Sequence, residues 1–237
     1  MEFNPDCRIE VRQLHNGSAL VVVDDALRDP EMLVRLASEQ LPKLVPDDRW
    51  QYPGIEVALA QSDVEPYAKF LRRHIRDYFG VSRVVREAYA RLSMVTLAPE
   101  QLNWSQRMCH IDGVSANPGE RSLASVLYLF RDSDLGGTCF FQQRADVPHY
   151  LQMFQDGRPG PGSEKFDFFQ QPPAYHTDSN EFYQLDQFVE ARWNRMIFYR
   201  GDTPHSAHII SPDRLSNDPL SGRLTLNGFY RMVAIGP

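Results

Sequence analysis

Gly222-Arg223-Leu224-Thr225-Leu226-Asn227-Gly228-Phe229 alternates without a break. Arg223, Thr225, Asn227 and Phe229 fall on one face of an extended chain, while Leu224, Leu226 and then Tyr230 fall on the other. A period of two with one apolar side is a strand laid against a core. The same pattern recurs upstream in short runs: Val84-Val85, Ala88 to Leu97, Ser122 to Phe130, Thr138 to Phe141, Asn194 to Tyr199 and Ala207 to Ile210. Gly, Pro, Asn and Asp bound these runs, as strand ends require. Ahead of them, Arg8 to Gln13 and Ala19 to Val23 flank the turn chemistry of His15-Asn16-Gly17-Ser18 and predict a hairpin.

Two stretches carry helical spacing instead. The first starts at Asp29-Pro30 and aligns Met32, Leu33, Leu36 and Ala37; the second opens at Ser62 or Asp63, aligns Val64, Tyr67, Ala68, Leu71, Ile75 and Tyr78, and closes at Gly80. Leu41 to Gly54 holds three prolines and reads as loop. Gln142 to Trp193 is a long polar and aromatic insertion with weak periodicity, with helical pieces expected over Glu181 to Arg192. The prediction is an α+β chain, mainly β, whose body is a sandwich or barrel. Without a repeat or a linker, residues 1–237 read as one domain.

Composition narrows the function. The chain has 237 residues, 42% hydrophobic and 24% charged, and a net charge of −6 from 25 basic and 31 acidic residues. An acidic chain without a basic run argues against nucleic acid as a partner. No apolar run is long enough to span a bilayer, and Met1 to Asp6 lacks signal-peptide character, so a cytoplasmic protein without a membrane partner is expected. Cys7, Cys109 and Cys139 are too few and too scattered for a disulfide framework or a thiolate zinc site.

The histidines carry the chemistry. In a strand, residues i and i+2 share a face, so His110-Ile111-Asp112 can aim an imidazole and a carboxylate at one ion. His176-Thr177-Asp178 has the same form, and with seven histidines among 31 acids about one such pair arises by chance. Context favours the first. His110 precedes two strands, and His205 lies far enough beyond Asp112 for several strands to bring it back. His176 sits inside the irregular insertion. His208 is the local rival of His205, but an offset of three puts it on the opposite face of a strand. Two histidines, one carboxylate and open positions form the arrangement used by non-haem iron(II). An inward-facing Arg223 is costly unless it meets an anion, and its fork fits a carboxylate; pairing with a neighbouring Glu on an exposed face is the plainer alternative.

Taken in order, His110-Ile111-Asp112, Leu123-Ala124-Ser125-Val126-Leu127-Tyr128-Leu129, Gly136-Gly137-Thr138, Pro204-His205-Ser206-Ala207 and Gly222-Arg223-Leu224-Thr225 resemble the motif series of iron(II)/2-oxoglutarate-dependent oxygenases. Ala90-Arg91-Leu92-Ser93 through Pro99-Glu100-Gln101-Leu102, with Gln106-Arg107 before the histidine, is similar to an uncharacterised bacterial branch of that superfamily, distantly related to prolyl-hydroxylase-like enzymes. The resemblance implies a double-stranded β-helix (jelly roll) over residues 83–231, with the hairpin and helices of residues 1–82 packed on its larger sheet. It implies iron(II) held by His110, Asp112 and His205. The co-substrate 2-oxoglutarate would be bound by Arg223, Thr225 and Tyr128, although core packing accounts for Tyr128 equally well.

Arg223 lies 18 positions after His205, where the family commonly spaces the pair by about ten, so Ser211 to Ser221 reads as an inserted loop. Arg214 is the rival on spacing but lacks a strand to aim it. The implied reaction is hydroxylation of a small molecule or peptide side chain with dioxygen, releasing succinate and carbon dioxide. Residues 142–193 would form a lid, which could bring Arg144, His149, Tyr150, Tyr175, His176 and Tyr183 to the substrate; a solvated loop accounts for these residues equally well. A non-catalytic jelly-roll binding protein, or a cupin-like metalloenzyme that does not use 2-oxoglutarate, is the alternative.

Overall fold

The computed structural model describes residues 1–45, 52–144 and 171–235. β1 (Arg8–Gln13) and β2 (Ala19–Asp24) form the expected hairpin. α1 (Glu31–Gln40) follows, its first turn held by Asp29 Oδ1, which accepts from the Met32 N–H at 3.2 Å. β3 (Gly54–Ala58) leads into α2 (Gln61–Phe70). The other strands are β4 (Val81–Val95), β5 (Glu120–Tyr128), β6 (Thr138–Gln143), β7 (Tyr183–Val189), β8 (Met196–Arg200), β9 (His205–Ala207) and β10 (Arg223–Ala234).

The chain is mainly β, with antiparallel pairing throughout two sheets. The larger runs β1-β2-β8-β5-β10-β4-β3 and the smaller β7-β6-β9. Strand alternation sorts the larger sheet into two faces. On one, Val21, Val23, Leu123, Leu127, Phe198, Leu224 and Leu226 meet Leu33, Val34 and Ala37 of α1 and Val64, Tyr67 and Phe70 of α2. On the other, Leu20, Val22, Ala124, Tyr128, Ile197 and Tyr199 meet Phe140 and Val189 of the smaller sheet. Each buried side chain of this size contributes about 1.5–3 kcal/mol, so a one-residue slip that exchanged the faces would be prohibitive. The smaller sheet packs over β2, β8 and β5. The facing side of β10 and β3 is left as a cavity wall.

Several elements depart from the sequence expectation. Val84-Val85 and Ala88 to Leu97 belong to one strand, β4, whose pairing with β10 is broken by register shifts near Arg231 and Met232. The second helix loosens after Phe70 into a π turn over Leu71–Ile75 and a 3₁₀ turn over Arg76–Phe79, ending at Gly80 with φ +61°. The extra residue in the π turn rotates the face, so Ile75 and Phe79 are buried while Tyr78 is exposed. Gly54 to Ala58 is a strand, read as loop only at its first residue and otherwise unassigned by pattern, because β4 supplies a partner for a run too short to show a period. Ala207 to Ile210 is not the strand: it sits earlier, at His205–Ala207.

Glu181 to Arg192 is not helical. Tyr183, Leu185 and Val189 are spaced as in a strand, and β6 pairs with them. This end of the insertion is therefore sheet rather than lid. Among the described residues no helix is long and apolar enough to cross a membrane.

Candidate metal centre

The triad is assembled by backbone pairing. His110 and His205 exchange reciprocal N–H···O bonds, both 2.9 Å, in an isolated antiparallel bridge at the free edge of β9. Residues directly opposed in an antiparallel ladder project to the same face. The two imidazoles consequently lie side by side, ring centroids 4.4 Å apart. Asp112, two residues on, is tied by its N–H to Gly201 O at 2.8 Å. A Cβ on Gly201 would stand 3.0 Å from Ser122 Cβ and 3.1 Å from Gly113 O, so glycine lets this loop close on the strand. One donor atom from each of His110, Asp112 and His205 lies within 4.8 Å of the others. Asp112 Oδ2 is 3.5 Å from His205 Nε2, and Oδ1 is 3.9 Å from His110 Nε2.

The surrounding bonds fix how these groups point. His205 Nδ1 lies 2.9 Å from Thr203 O, which assigns the proton to Nδ1 and leaves the Nε2 lone pair facing Asp112. The Tyr199 hydroxyl donates to Asp112 Oδ2 at 3.0 Å and lies 3.1 Å from His205 Nε2. Burial and the Asp112 charge hold Tyr199 far above the ordinary phenol range, so it stays a donor. His205 and Asp112 are buried at the side chain, 7% and 12% exposed, whereas His110 keeps 50%; the site is open on the His110 side. Desolvation and the neighbouring His205 lower the His110 pKa, which favours the neutral imidazole, the form that binds a metal. Two imidazole nitrogens and one carboxylate oxygen, with an open side, fit a first-row divalent cation such as iron(II). His208 is elsewhere, its ring 4.5 Å from Phe188.

The same cavity, about 470 Å³, is lined by Arg223, Thr225, Asn227 and Phe229, the one face that alternation assigned to β10. Arg223 is only 4% exposed. Its Nε donates to Leu135 O at 3.0 Å and Gly136 O at 3.2 Å, and its Nη2 to Gly137 O at 2.8 Å. Gly136 and Gly137 make this possible. Gly136 has φ +82°, and a Cβ on either would meet a backbone oxygen within 2 Å, His208 O or Val189 O. No carboxylate among the described residues ion-pairs with Arg223, so the buried cation is met by carbonyl dipoles and by the face of Phe130, 5.7 Å from the guanidinium carbon. Burial draws its pKa down, yet a guanidinium remains charged. Arg214, the spacing rival, is at the surface, paired with Asp132 and with Asp134.

Three tyrosines surround the guanidinium. Tyr128 is fully buried, bonded through its hydroxyl to Thr138 Oγ1 at 2.8 Å, and is not part of the cavity wall. Tyr175 lines the cavity but donates to Leu97 O at 2.7 Å. Tyr52, also on the wall, has its buried hydroxyl next to the Thr225 side chain. Thr225 Oγ1 also donates to Ser93 O in a long 3.4 Å bond.

Pattern reading missed Tyr52 and Tyr199. Tyr52 lay in a stretch read as loop. Tyr199 ended an apolar strand and looked like core; only its spacing of six before His205 marked it.

Of the insertion residues, Tyr175, His176 and Tyr183 line the cavity, Arg144 is exposed at the end of β6, and His149 and Tyr150 lie outside the described residues. Gln106 lines the cavity, while Arg107 donates to Gln171 O at 2.9 Å on the exposed side.

Comparison with known proteins follows the fold. No curated protein matches the chain. Among solved structures, it is similar to HygX from Streptomyces hygroscopicus with nickel and 2-oxoglutarate bound, at 10% identity and a TM-score of 0.45, over 90% of this chain and 82% of that one. A Pseudomonas putida prolyl-4-hydroxylase gives 13% identity and 0.43 over 86% and 85%. A prolyl 4-hydroxylase from Phytophthora capsici gives 14% and 0.42 over 91% of this chain, which spans 59% of that one. A family profile matches residues 5–230, taking in the hairpin, both helices, the His110 bridge and the Arg223 strand. The chain is therefore a member of the family described as "Family of unknown function (DUF6445)".

Proposed function

We propose that the protein is an iron(II)- and 2-oxoglutarate-dependent oxygenase of the hydroxylase type, acting as one domain with a double-stranded β-helix core. One observation carries this reading: a two-histidine, one-carboxylate cluster shares a cavity with a buried arginine that has no anionic partner among the described residues. A dicarboxylate that chelates a metal at one end and meets a guanidinium at the other satisfies both features together.

His110, Asp112 and His205 hold the ion. Arg223 holds the distal carboxylate of 2-oxoglutarate, and the Thr225 and Tyr52 hydroxyls add hydrogen bonds to it. Tyr128 supports that wall from behind through Thr138. Bound iron would supply the activation of dioxygen that couples oxidation of 2-oxoglutarate, to succinate and carbon dioxide, with insertion of one oxygen atom into a substrate C–H bond. The protein positions the reactants and keeps the buried side of the site dry. Asn227 and Phe229, farther along the same face of β10, border the space left for a small-molecule or peptide substrate. We place the protein in the cytoplasm, a reading supported by three free cysteines.

Anaerobic titration with iron(II) and 2-oxoglutarate tests the reading. A weak visible charge-transfer band that needs both ligands and disappears in Arg223→Ala supports it. Iron binding with no response to 2-oxoglutarate favours the cupin-like alternative, and binding of neither favours a non-catalytic jelly roll. Succinate release against a metabolite and peptide panel then identifies the substrate.

A further inference from the structure

We propose that Tyr199 is a positioning residue of the metal centre: its hydroxyl fixes one oxygen of Asp112 and closes the sheet-facing side of the site, so that the ion keeps its free positions toward the cavity. The inference rests on the oxygenase reading for its purpose but on separate contacts for its geometry.

β8 holds Asp112 twice, through Gly201 O to the Asp112 N–H at 2.8 Å and through the Tyr199 hydroxyl to Oδ2 at 3.0 Å. The first bond sets the backbone at Asp112, and the second orients the carboxylate. The same hydroxyl lies 3.1 Å from His205 Nε2, between two of the three ligating groups. The ring is fixed in turn. It packs edge-on against Phe140 at 5.0 Å and against the His205 imidazole at 4.7 Å, and it is 2% exposed.

A buried hydroxyl that donates to Oδ2 competes with a metal ion for that oxygen and leaves Oδ1 unengaged by Tyr199. Asp112 is thereby biased to give the ion one oxygen rather than two. The difference matters for this reaction class. An ion held through one oxygen of Asp112 would keep more positions for a chelating co-substrate and the oxidant than an ion held through two. Tyr199 shuts the side facing the larger sheet, and the half-exposed His110 marks the side that stays open.

Cobalt(II) alone is the probe, titrated into metal-free wild type and Tyr199→Phe, with affinity, visible spectrum and thermal midpoint recorded for each. The phenylalanine keeps the ring contacts and removes only the oxygen. The expected result is a roughly 10- to 100-fold weaker cobalt(II) affinity, the usual effect of losing a group that orients a ligand, with an altered visible band; the metal-free midpoint falls too, because a buried hydrogen bond to a carboxylate is lost. Superimposable isotherms and spectra overturn the proposal, as does a lowered midpoint with an unchanged spectrum, which is the mark of packing alone. If wild type binds no cobalt(II), the metal reading itself fails, so the two failures are distinguishable. Should Tyr199→Phe not fold, 3-fluorotyrosine at position 199 retains the shape and changes the donor strength; a spectrum identical to wild type then overturns the proposal.

Discussion

His110-Ile111-Asp112 and His176-Thr177-Asp178 are the same three-letter pattern in two regions of one chain, and they have different fates. In the first, a backbone bridge to His205 sets both imidazoles on one face, and Gly201 and Tyr199 turn Asp112 toward them. In the second, the His176 ring is buried edge-on against Phe141 at 4.6 Å, its carbonyl accepts from the Ser206 hydroxyl, and Asp178 turns away to the Ser179 N–H. His176 Nε2 has no hydrogen-bond partner among the described residues. A His-x-Asp can offer both side chains to one ion when another chain segment sets them facing, and among the described residues the first copy has such a segment. Two arginines and two tyrosines repeat the lesson: Arg223 is aimed by a strand while Arg214 is spent on surface aspartates, and Tyr52 lies on the cavity wall while Tyr128 is buried behind it with its hydroxyl on Thr138.

The hardest test of the comparison is to remove a carboxylate from each copy. Asp112→Ala, like His205→Ala, is expected to reduce iron-dependent succinate formation to the level of protein-free controls. Asp178→Ala stays within about twofold of wild type, as a surface change should. Equal losses in the two aspartate variants would dissolve the distinction.

The arginines come next. Arg223→Ala should weaken 2-oxoglutarate binding by about 100-fold or more, since each hydrogen bond to a charged group is worth roughly 1.5–3 kcal/mol and the fork makes two. Calorimetry of the manganese(II)-loaded protein measures this, with circular dichroism to verify folding. Arg214→Ala should change that affinity by no more than about twofold, its surface ion pairs contributing little.

His176 sharpens the contrast through pH. Burial pushes its pKa down to about 4 in the folded protein, against 6.5 for a free imidazole. Between these values the unfolded chain takes up a proton that the folded one refuses, so stability falls as pH drops from about 6.5 toward 4 and is flat above that window. The loss is on the order of 2–3 kcal/mol by linkage. His176→Phe keeps an aromatic ring against Phe141, and the difference between its urea midpoints at pH 7.5 and pH 5 should be smaller than that of wild type. An identical pH response in the two proteins would show that His176 is not a buried neutral histidine.

The smallest expected effect separates the tyrosines. Tyr52→Phe should weaken 2-oxoglutarate binding only about 2- to 10-fold, the range for one neutral hydrogen bond. Tyr128→Phe should lower the thermal midpoint while leaving that affinity alone. The reverse result would return Tyr128 to the cavity wall.

By itself, the sequence determined the alternation of β10, the hairpin and the start of α1, because those depend on neighbours within a few residues and a period that local chemistry enforces. It also nominated His110 and Asp112, through the two-residue spacing of a His-x-Asp on one strand face, and Arg223, through the cost of an inward-facing cation, with the resemblance of the ordered motifs joining them and His205 into one set. β7 was misread because its alternation is interrupted by a bulge opposite Phe140 and Phe141, and a mixed aromatic and polar run shows a clear period only beside its partner. Tertiary structure alone decided which His-x-Asp faces a second histidine, that Gly136 and Gly137 present carbonyls to Arg223, and that Tyr199 and Tyr52 reach the cavity. Each of those depends on register between strands tens of residues apart, and register is settled by which faces bury together rather than by any local run of residues.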